Sequence, residues 1–193
     1  MAQTQFRKLT RPELEVVYQE HMTRDFPHSE LKPFSRLTAL VDAGTYEAYG
    51  LFEDGALIAY ALYWLDPGEP SVMLDYFAVL PDRRNGGTGG ALLGDMLERF
   101  CANGAGVFGE VEIPDTGDEA VDELRRRRLG FYARAGMRTM GFRTKVFGVP
   151  YIVLAYGPEI SDEALMETDR KLYRQAFPPA VYEREVFIPW KNR

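Results

Sequence analysis

Apolar positions beyond the first ten residues fall at helical spacing. Leu14, Val17 and Tyr18 share one face of a segment with Pro12 in its first turn, which predicts a helix over residues 12–22. A second helix is predicted over 31–42, stopped at Gly44, with Asp25-Phe26-Pro27-His28-Ser29 as the loop between them. The period then changes. Residues 46–52 and 57–65 read as aromatic-rich strands around the hairpin signal Glu53-Asp54-Gly55, and a strand over 72–79 follows the turn Asp66-Pro67-Gly68-Glu69-Pro70. Residues 87–103 carry Ala91, Leu92, Met96, Leu97 and Phe100 at helical spacing, with Gly104 as the stop. A strand over 107–113 precedes a helix that Thr116 and Glu119 open as a capping box and that runs to Ala135, with Gly136 at its end. Strands are predicted over 138–144 and 151–155, a helix capped by Ser161 reaching about Ala176, and a closing strand over 182–188. This order predicts an α/β (α+β) fold: a mixed, mostly antiparallel central sheet flanked by helices, with a C-terminal helix-strand extension.

Composition narrows the class. The chain has 193 residues, 46% hydrophobic and 27% charged, which suits one domain able to bury a core without disulfides or a structural metal. The absence of any run of about 18 apolar residues argues against a membrane span. Residues 1–11 are polar and show no signal-peptide core. The single cysteine, Cys101, excludes an internal disulfide and a Cys-rich zinc site, and points to a reducing cytoplasm. A net charge of -6 disfavours nucleic acid and sits more easily with cationic substrates such as amines. His21 and His28 have no partners at metal-ligand spacing, so no metal is expected.

The most informative stretch is Phe77-Ala78-Val79-Leu80-Pro81-Asp82-Arg83-Arg84-Asn85-Gly86-Gly87-Thr88-Gly89-Gly90-Ala91-Leu92-Leu93. A buried strand enters a glycine-rich turn that opens a helix. First-turn N–H groups have no intrahelical acceptor and carry the positive end of the helix dipole, so the turn is suited to a pyrophosphate. Arg83 and Arg84 can add charge-assisted hydrogen bonds. A Walker A loop is excluded because Gly90 is followed by Ala91, and a dinucleotide fingerprint because Leu92 stands in the third glycine slot. The literal G-x-G-x-x-G at Gly104, Gly106 and Gly109 lies between a helix and a strand, the reverse of the required order.

Arg84-x-x-Gly87-x-Gly89, preceded by Ala78-Val79-x-Pro81 and followed by Ala91-Leu92-Leu93, resembles the acyl-CoA loop of the GNAT superfamily of N-acyltransferases. A second block, Phe131-Tyr132-Ala133-Arg134-Ala135-Gly136-Met137, is similar to that family's Phe-Tyr-x-x-x-Gly-Phe element and follows in family order. The resemblance covers about residues 4–155 and implies acetyl transfer from acetyl-CoA, as co-substrate, to an amine. It implies that the strand at Phe77, Ala78 and Val79 bonds the pantetheine arm. Arg84, Asn85, Gly86, Gly87, Thr88, Gly89 and Gly90 would then surround the pyrophosphate.

The same resemblance makes Tyr132 the proton donor to the CoA sulfur, a role suited to a phenol with a pKa of about 10. It places Glu110, just before Val111, as the base that receives the amine proton. Glu112 on the same strand face, Asp75 on the neighbouring strand, and a water chain stand as alternatives. Met73 occupies the position where another branch of the family carries its glutamate. Two departures are visible: Arg125 replaces an Asn found in many relatives, and the connection from Glu110 to Tyr132 is longer than usual.

In the run Arg125-Arg126-Arg127-Arg128, the i,i+4 pairs Asp122–Arg126 and Glu123–Arg127 predict an exposed ion-paired face. Arg125 and Arg128, on the Tyr132 side, are left for the CoA phosphates. Tyr46, Tyr49, Tyr60, Tyr63 and Trp64 are expected to divide between the core and an acceptor groove, and Cys101 to be a packing residue. The expected protein is therefore a cytoplasmic acetyltransferase using a ternary complex, with residues 1–157 as the acetyltransferase domain and 158–193 as an extension packed on it or on a partner. The acceptor would be a small-molecule or peptide amine, with no nucleic acid and no membrane as partner. The predicted strand over 182–188 leaves room for a homodimer. The reading from another class is a GNAT-fold module that binds acyl-CoA or a protein without catalysis.

Overall fold

Thr10 caps the first helix, α1 (Arg11–Val16), in a full capping box: its side chain accepts from the Glu13 N–H, and Glu13 answers to the Thr10 N–H. Arg7 clamps the same carboxylate at 2.6 Å. The helical path continues through a π turn, Val17–Met22, into α2 (Thr23–Asp25). The computed structural model describes residues 3–28, 30–84, 87–102 and 104–191. Readings that fall on Ser29, Asn85, Gly86, Asn103 and the Phe100 side chain lie outside them.

Eight strands form one sheet: β1 (Thr4–Lys8), β2 (Tyr46–Glu53), β3 (Ala56–Trp64), β4 (Ser71–Val79), β5 (Gly106–Glu112), β6 (Arg138–Val146), β7 (Val149–Tyr156) and β8 (Val186–Phe187). Their order is β1-β2-β3-β4-β5-β7-β6-β8. The chain divides into two compact units, residues 1–67 with 74–96, and residues 68–73 with 97–193.

In the first unit, β1, β2 and β3 form an antiparallel meander, and α3 (Phe34–Asp42) buries its own Leu37 and Leu40. The strand β1 was not visible in the pattern, because its Thr-Gln-Phe-Arg-Lys sequence is an exposed, polar edge. The predicted start at Leu31 is corrected to Phe34: Lys32 precedes Pro33, whose ring disfavours helical backbone at the residue before it. Tyr46, Tyr49, Tyr60, Tyr63 and Trp64 are all buried, so the expected division between core and groove is corrected in favour of core. Bulky rings on both faces of β2 and β3 mean that both faces are covered.

In the second unit, Ser71–Met73 pair in parallel with Gly106–Phe108, and β5, β7, β6 and β8 follow antiparallel. Helix α4 (Thr88–Cys101) follows the glycine turn, and only its last residues, from Leu97, belong to this unit. Helix α5 (Glu119–Arg134) is capped by Asp118, not Thr116, because Gly117 at φ 79° swings Thr116 away from the first turn. Thr116 instead donates through N–H and hydroxyl to the buried Asp122, which replaces the expected Asp122–Arg126 pair. Arg126 meets Glu119 and Glu123. Ser161 caps α6 (Asp162–Ala176) as predicted. The expected strand over 182–188 is mostly α7 (Pro179–Glu185); only Val186–Phe187 pair with β6. Tyr182 and Val186 stand four apart as well as at even spacing, and the Pro178-Pro179 start decides for the helix.

Candidate functional site

Strand β4 ends at Val79, and the Leu80 N–H holds the Ile58 carbonyl at 3.0 Å before a 3₁₀ turn, Pro81–Arg83, leads toward α4. Ala78 is buried, and Phe77 and Val79 are half-buried. Gly87 has φ 82°, a conformation that favours glycine, and its carbonyl takes the Ala91 N–H at 3.1 Å. A Cβ on Gly87 or Gly90 would meet nothing within 4 Å. The backbone of this turn therefore faces open space, with first-turn N–H groups that the helix cannot satisfy. That fits a pyrophosphate.

Both arginines before the turn are held by acids. Arg84 donates from Nε to the Val79 carbonyl at 2.9 Å and from Nη2 to Asp25 Oδ1 at 3.0 Å. Asp25 also receives Arg24 and the Tyr60 hydroxyl, both at 3.0 Å, so one carboxylate ties the end of α2 to β3 and the turn. Burial, followed by the Asp25 charge, pushes the Tyr60 phenol well above its ordinary value. Arg83 pairs with Glu53 at 2.5 Å. No sequence signal pointed to Asp25 as this anchor.

Asp75, one alternative for the base, accepts from Lys32 Nζ at 2.6 Å and from the buried Tyr46 hydroxyl. Lys32 also lies 5.0 Å above the Trp64 ring. An ammonium and a phenol on the same carboxylate occupy its lone pairs.

In the second unit, Tyr132 packs on Val111, Met137 and Leu154, beside Leu129, Ile152 and Tyr156. Burial raises its phenol to about 12; the Arg128 charge opposes the shift and the Glu112 charge adds to it. The group is a protonated donor throughout the neutral range. Glu112 holds Arg128 in an ion pair and has Arg125 at 3.8 Å, while Arg125 donates to the Ile113 carbonyl at 2.8 Å. Strand alternation puts Glu110 on the face opposite Val111, and hence opposite the Tyr132 cluster. There Glu110 accepts from Thr144 Oγ1 and from the Tyr173 hydroxyl at 2.6 Å. One turn before Tyr173 on its helix, Asp169 is fully buried, with neither oxygen hydrogen-bonded among the described residues. Thr144, Asp169 and Tyr173 were not singled out from the sequence, since they lie beyond the recognised motifs. The one available signal was the i,i+4 spacing of Asp169 and Tyr173 on an amphipathic helix.

Cys101 is a free, half-buried thiol whose sulfur would lie 2.8 Å from a Cβ on Gly157. His28 is exposed. No helix among the described residues is long and apolar enough to cross a membrane.

Among curated protein sequences none matches this chain. Solved structures do. A GNAT-family protein from Bacteroides thetaiotaomicron aligns with a TM-score of 0.68 at 23% identity, covering 88% of this chain and 96% of its own. The ribosomal-protein-S18-alanine N-acetyltransferase from Escherichia coli aligns with a TM-score of 0.59 at 17% identity, over 82% and 96% of the two chains. Spermidine N-acetyltransferase from Vibrio cholerae, solved with CoA and spermine, gives 0.61 at 12% identity over 80% and 95%. Identities this low show a shared fold. The sequence profile of the acetyltransferase (GNAT) family matches residues 4–137, from β1 to the end of the Tyr132 block. This chain belongs to the GNAT acetyltransferase family.

Proposed function

We propose that this protein transfers the acetyl group of acetyl-CoA directly to a primary amine of a small molecule or peptide, in a ternary complex. The observation that carries the reading is the open glycine turn at the head of α4, with left-handed Gly87 and unfilled space at Gly87 and Gly90. Acetyl-CoA supplies an activated thioester carbonyl. The N–H groups of residues 87–90 take its pyrophosphate, and the backbone of Phe77, Ala78 and Val79 takes the pantetheine arm. Arg84, already fixed by Val79 and Asp25, stiffens the turn and adds positive charge beside it. Asn85, Gly86 and Arg128 complete the proposed contacts.

The amine nitrogen attacks the carbonyl carbon as the carbon–sulfur bond breaks, and two protons must move. Tyr132 gives its phenolic proton to the departing sulfur; a phenol raised to about 12 stays loaded at neutral pH. Glu110, whose partners are the neutral hydroxyls of Thr144 and Tyr173, accepts the proton released by the amine, in preference to Asp75 and Glu112, which are paired with the cations Lys32 and Arg128. We assign the transfer to residues 1–157, with 158–193 as an extension packed on the same domain, and the setting to a reducing cytoplasm that suits the lone Cys101.

Calorimetric titration with acetyl-CoA tests the reading on wild type and on a Gly87→Glu, Gly89→Glu double variant. The expected result is micromolar binding that the variant loses, followed by acetylation of at least one member of an amine panel that Tyr132→Phe slows. A folded wild type that binds no acetyl-CoA refutes the reading. Binding without turnover of any amine favours a non-catalytic acyl-CoA-binding module.

A further inference from the structure

Helix α6 lies outside the family match, yet its buried face carries polar groups where leucines would be expected. Leu165 and Leu172 are buried there beside Thr168, Asp169 and Tyr173. Tyr173 reaches Glu110 Oε2 at 2.6 Å, and Thr144 of β6, itself fully buried, bonds Oε1. Asp169 stands one helical turn before Tyr173, on the same face. Burying a carboxyl with no hydrogen-bond partner is costly and needs a reason.

We propose that α6 belongs to the working apparatus of this enzyme, with Tyr173 and Asp169 as positioning residues that set the orientation and charge of Glu110. The proposal rests on the reading of Glu110 as the base. Glu110 is half-buried, with the buried Thr144 and Tyr173 against its carboxylate. Two hydroxyls donate to its two oxygens, an arrangement that stabilises the carboxylate and fixes its plane. Asp169 has no such donors. Burial first, then the neighbouring Glu110 charge, raise its carboxyl well above the ordinary range, with Arg170 opposing. The pair thus carries one charge, placed on Glu110, and the proton sits on Asp169 where no solvent reaches. A base held charged by its neighbours, and spared a second charge behind it, is ready to accept the amine proton.

Several other charged groups on the surrounding elements have partners of their own. Glu112 on β5 pairs with Arg128, Arg170 donates to the Ile188 carbonyl and to Glu167, and Lys171 pairs with Glu69. Opposite Glu110, β7 offers the apolar Val153.

The test is a carboxyl titration by carbon-13 NMR on the full chain, comparing wild type, Tyr173→Phe, Asp169→Asn and Glu110→Gln. Each substitution keeps the size of the side chain. In wild type one aspartyl carboxyl titrates above the ordinary aspartate range, and Asp169→Asn deletes that signal. Tyr173→Phe raises the Glu110 midpoint by about one pH unit, the worth of one hydrogen bond to a charged group. Glu110→Gln lowers the Asp169 midpoint, because the charge that raised it is gone. The acid limb of kcat/KM, measured on the best substrate among spermidine, an alanyl peptide and a lysyl peptide, moves with the Glu110 midpoint in Tyr173→Phe. Midpoints that stay fixed while Glu110→Gln slows the enzyme overturn the proposal alone. A Glu110→Gln enzyme as fast as wild type overturns the reading of Glu110, and the proposal with it.

Discussion

Replacing Gly90 by alanine separates the ligand role of the glycine turn from its backbone role. Gly90 is the third residue of α4, its φ is not left-handed, and an added Cβ meets nothing within 4 Å. The apo fold therefore gains from the substitution. A glycine inside a helix is about 0.8–1.0 kcal/mol worse than alanine, and somewhat less than this full gain applies in the first turn. Gly94, one turn further on, has the same free space, and Gly94→Ala carries the full gain. The two differ at the ligand. A methyl at Gly90 stands where phosphate oxygens must approach the N–H groups, and one charge-assisted hydrogen bond is worth about 1.5–3 kcal/mol, or roughly 10- to 150-fold in affinity. Urea denaturation measures the first quantity and calorimetric titration with acetyl-CoA the second. The expected outcome is two stabilised variants, of which only Gly90→Ala binds weakly. Equal affinities for Gly90→Ala and Gly94→Ala refute the placement of the pyrophosphate at this turn.

Tyr132→Phe is expected to lower kcat by about 10²–10⁴-fold, the range for a lost general acid, while acetyl-CoA affinity stays within about twofold. Because the Tyr132 phenol titrates at about 12, wild-type kcat shows no alkaline decline from this group below about pH 11. Asp169 holds a proton in the folded protein that the unfolded chain has released above its ordinary midpoint of about 4. Stability from this group is therefore complete below that pH and falls as pH rises, by at most about 1.4 kcal/mol per pH unit. Asp169→Asn removes that slope, so its advantage over wild type in urea denaturation should widen between pH 4 and pH 7; parallel curves count against a protonated Asp169. Glu13 behaves in the opposite sense. Arg7 and the Thr10 N–H hold it down to about 2, so its contribution is present above about pH 4.5 and lost as pH falls towards 2. The stability gap between wild type and Glu13→Gln should close across that interval.

Local chemistry made much of the fold legible. The hairpin at Glu53-Asp54-Gly55 needs left-handed backbone, and Asp54 and Gly55 both adopt it, at φ 48° and 83°. Ser161 caps α6 because a hydroxyl three residues before an apolar run satisfies an N–H that the helix cannot. The glycine turn was readable for the same reason: only glycine passes cheaply through the left-handed backbone at Gly87, and the helix that follows declares its unsatisfied N–H groups. The errors also came from local rules. Thr116 matched a capping box, but Gly117 redirected it to Asp122, and the 182–188 stretch fitted strand and helix periods alike.

What the chain determined by itself, then, is whatever depends on neighbours within about a turn: helix caps, hairpins, the phosphate-suited turn and the order of strands that marks the family. Tertiary structure alone decided which charges meet. Asp25 finds Arg84 across 59 positions, Lys32 finds Asp75 across 43, and Tyr173 finds Glu110 across 63. No periodicity encodes such pairs, because a hydrogen bond over that separation exists only after the sheet has set its register and the helices have chosen their faces. The same holds for Asp169, an ordinary acidic residue in the sequence. Its burial, and hence the proton it keeps, is a property of the packed face of α6 against the sheet.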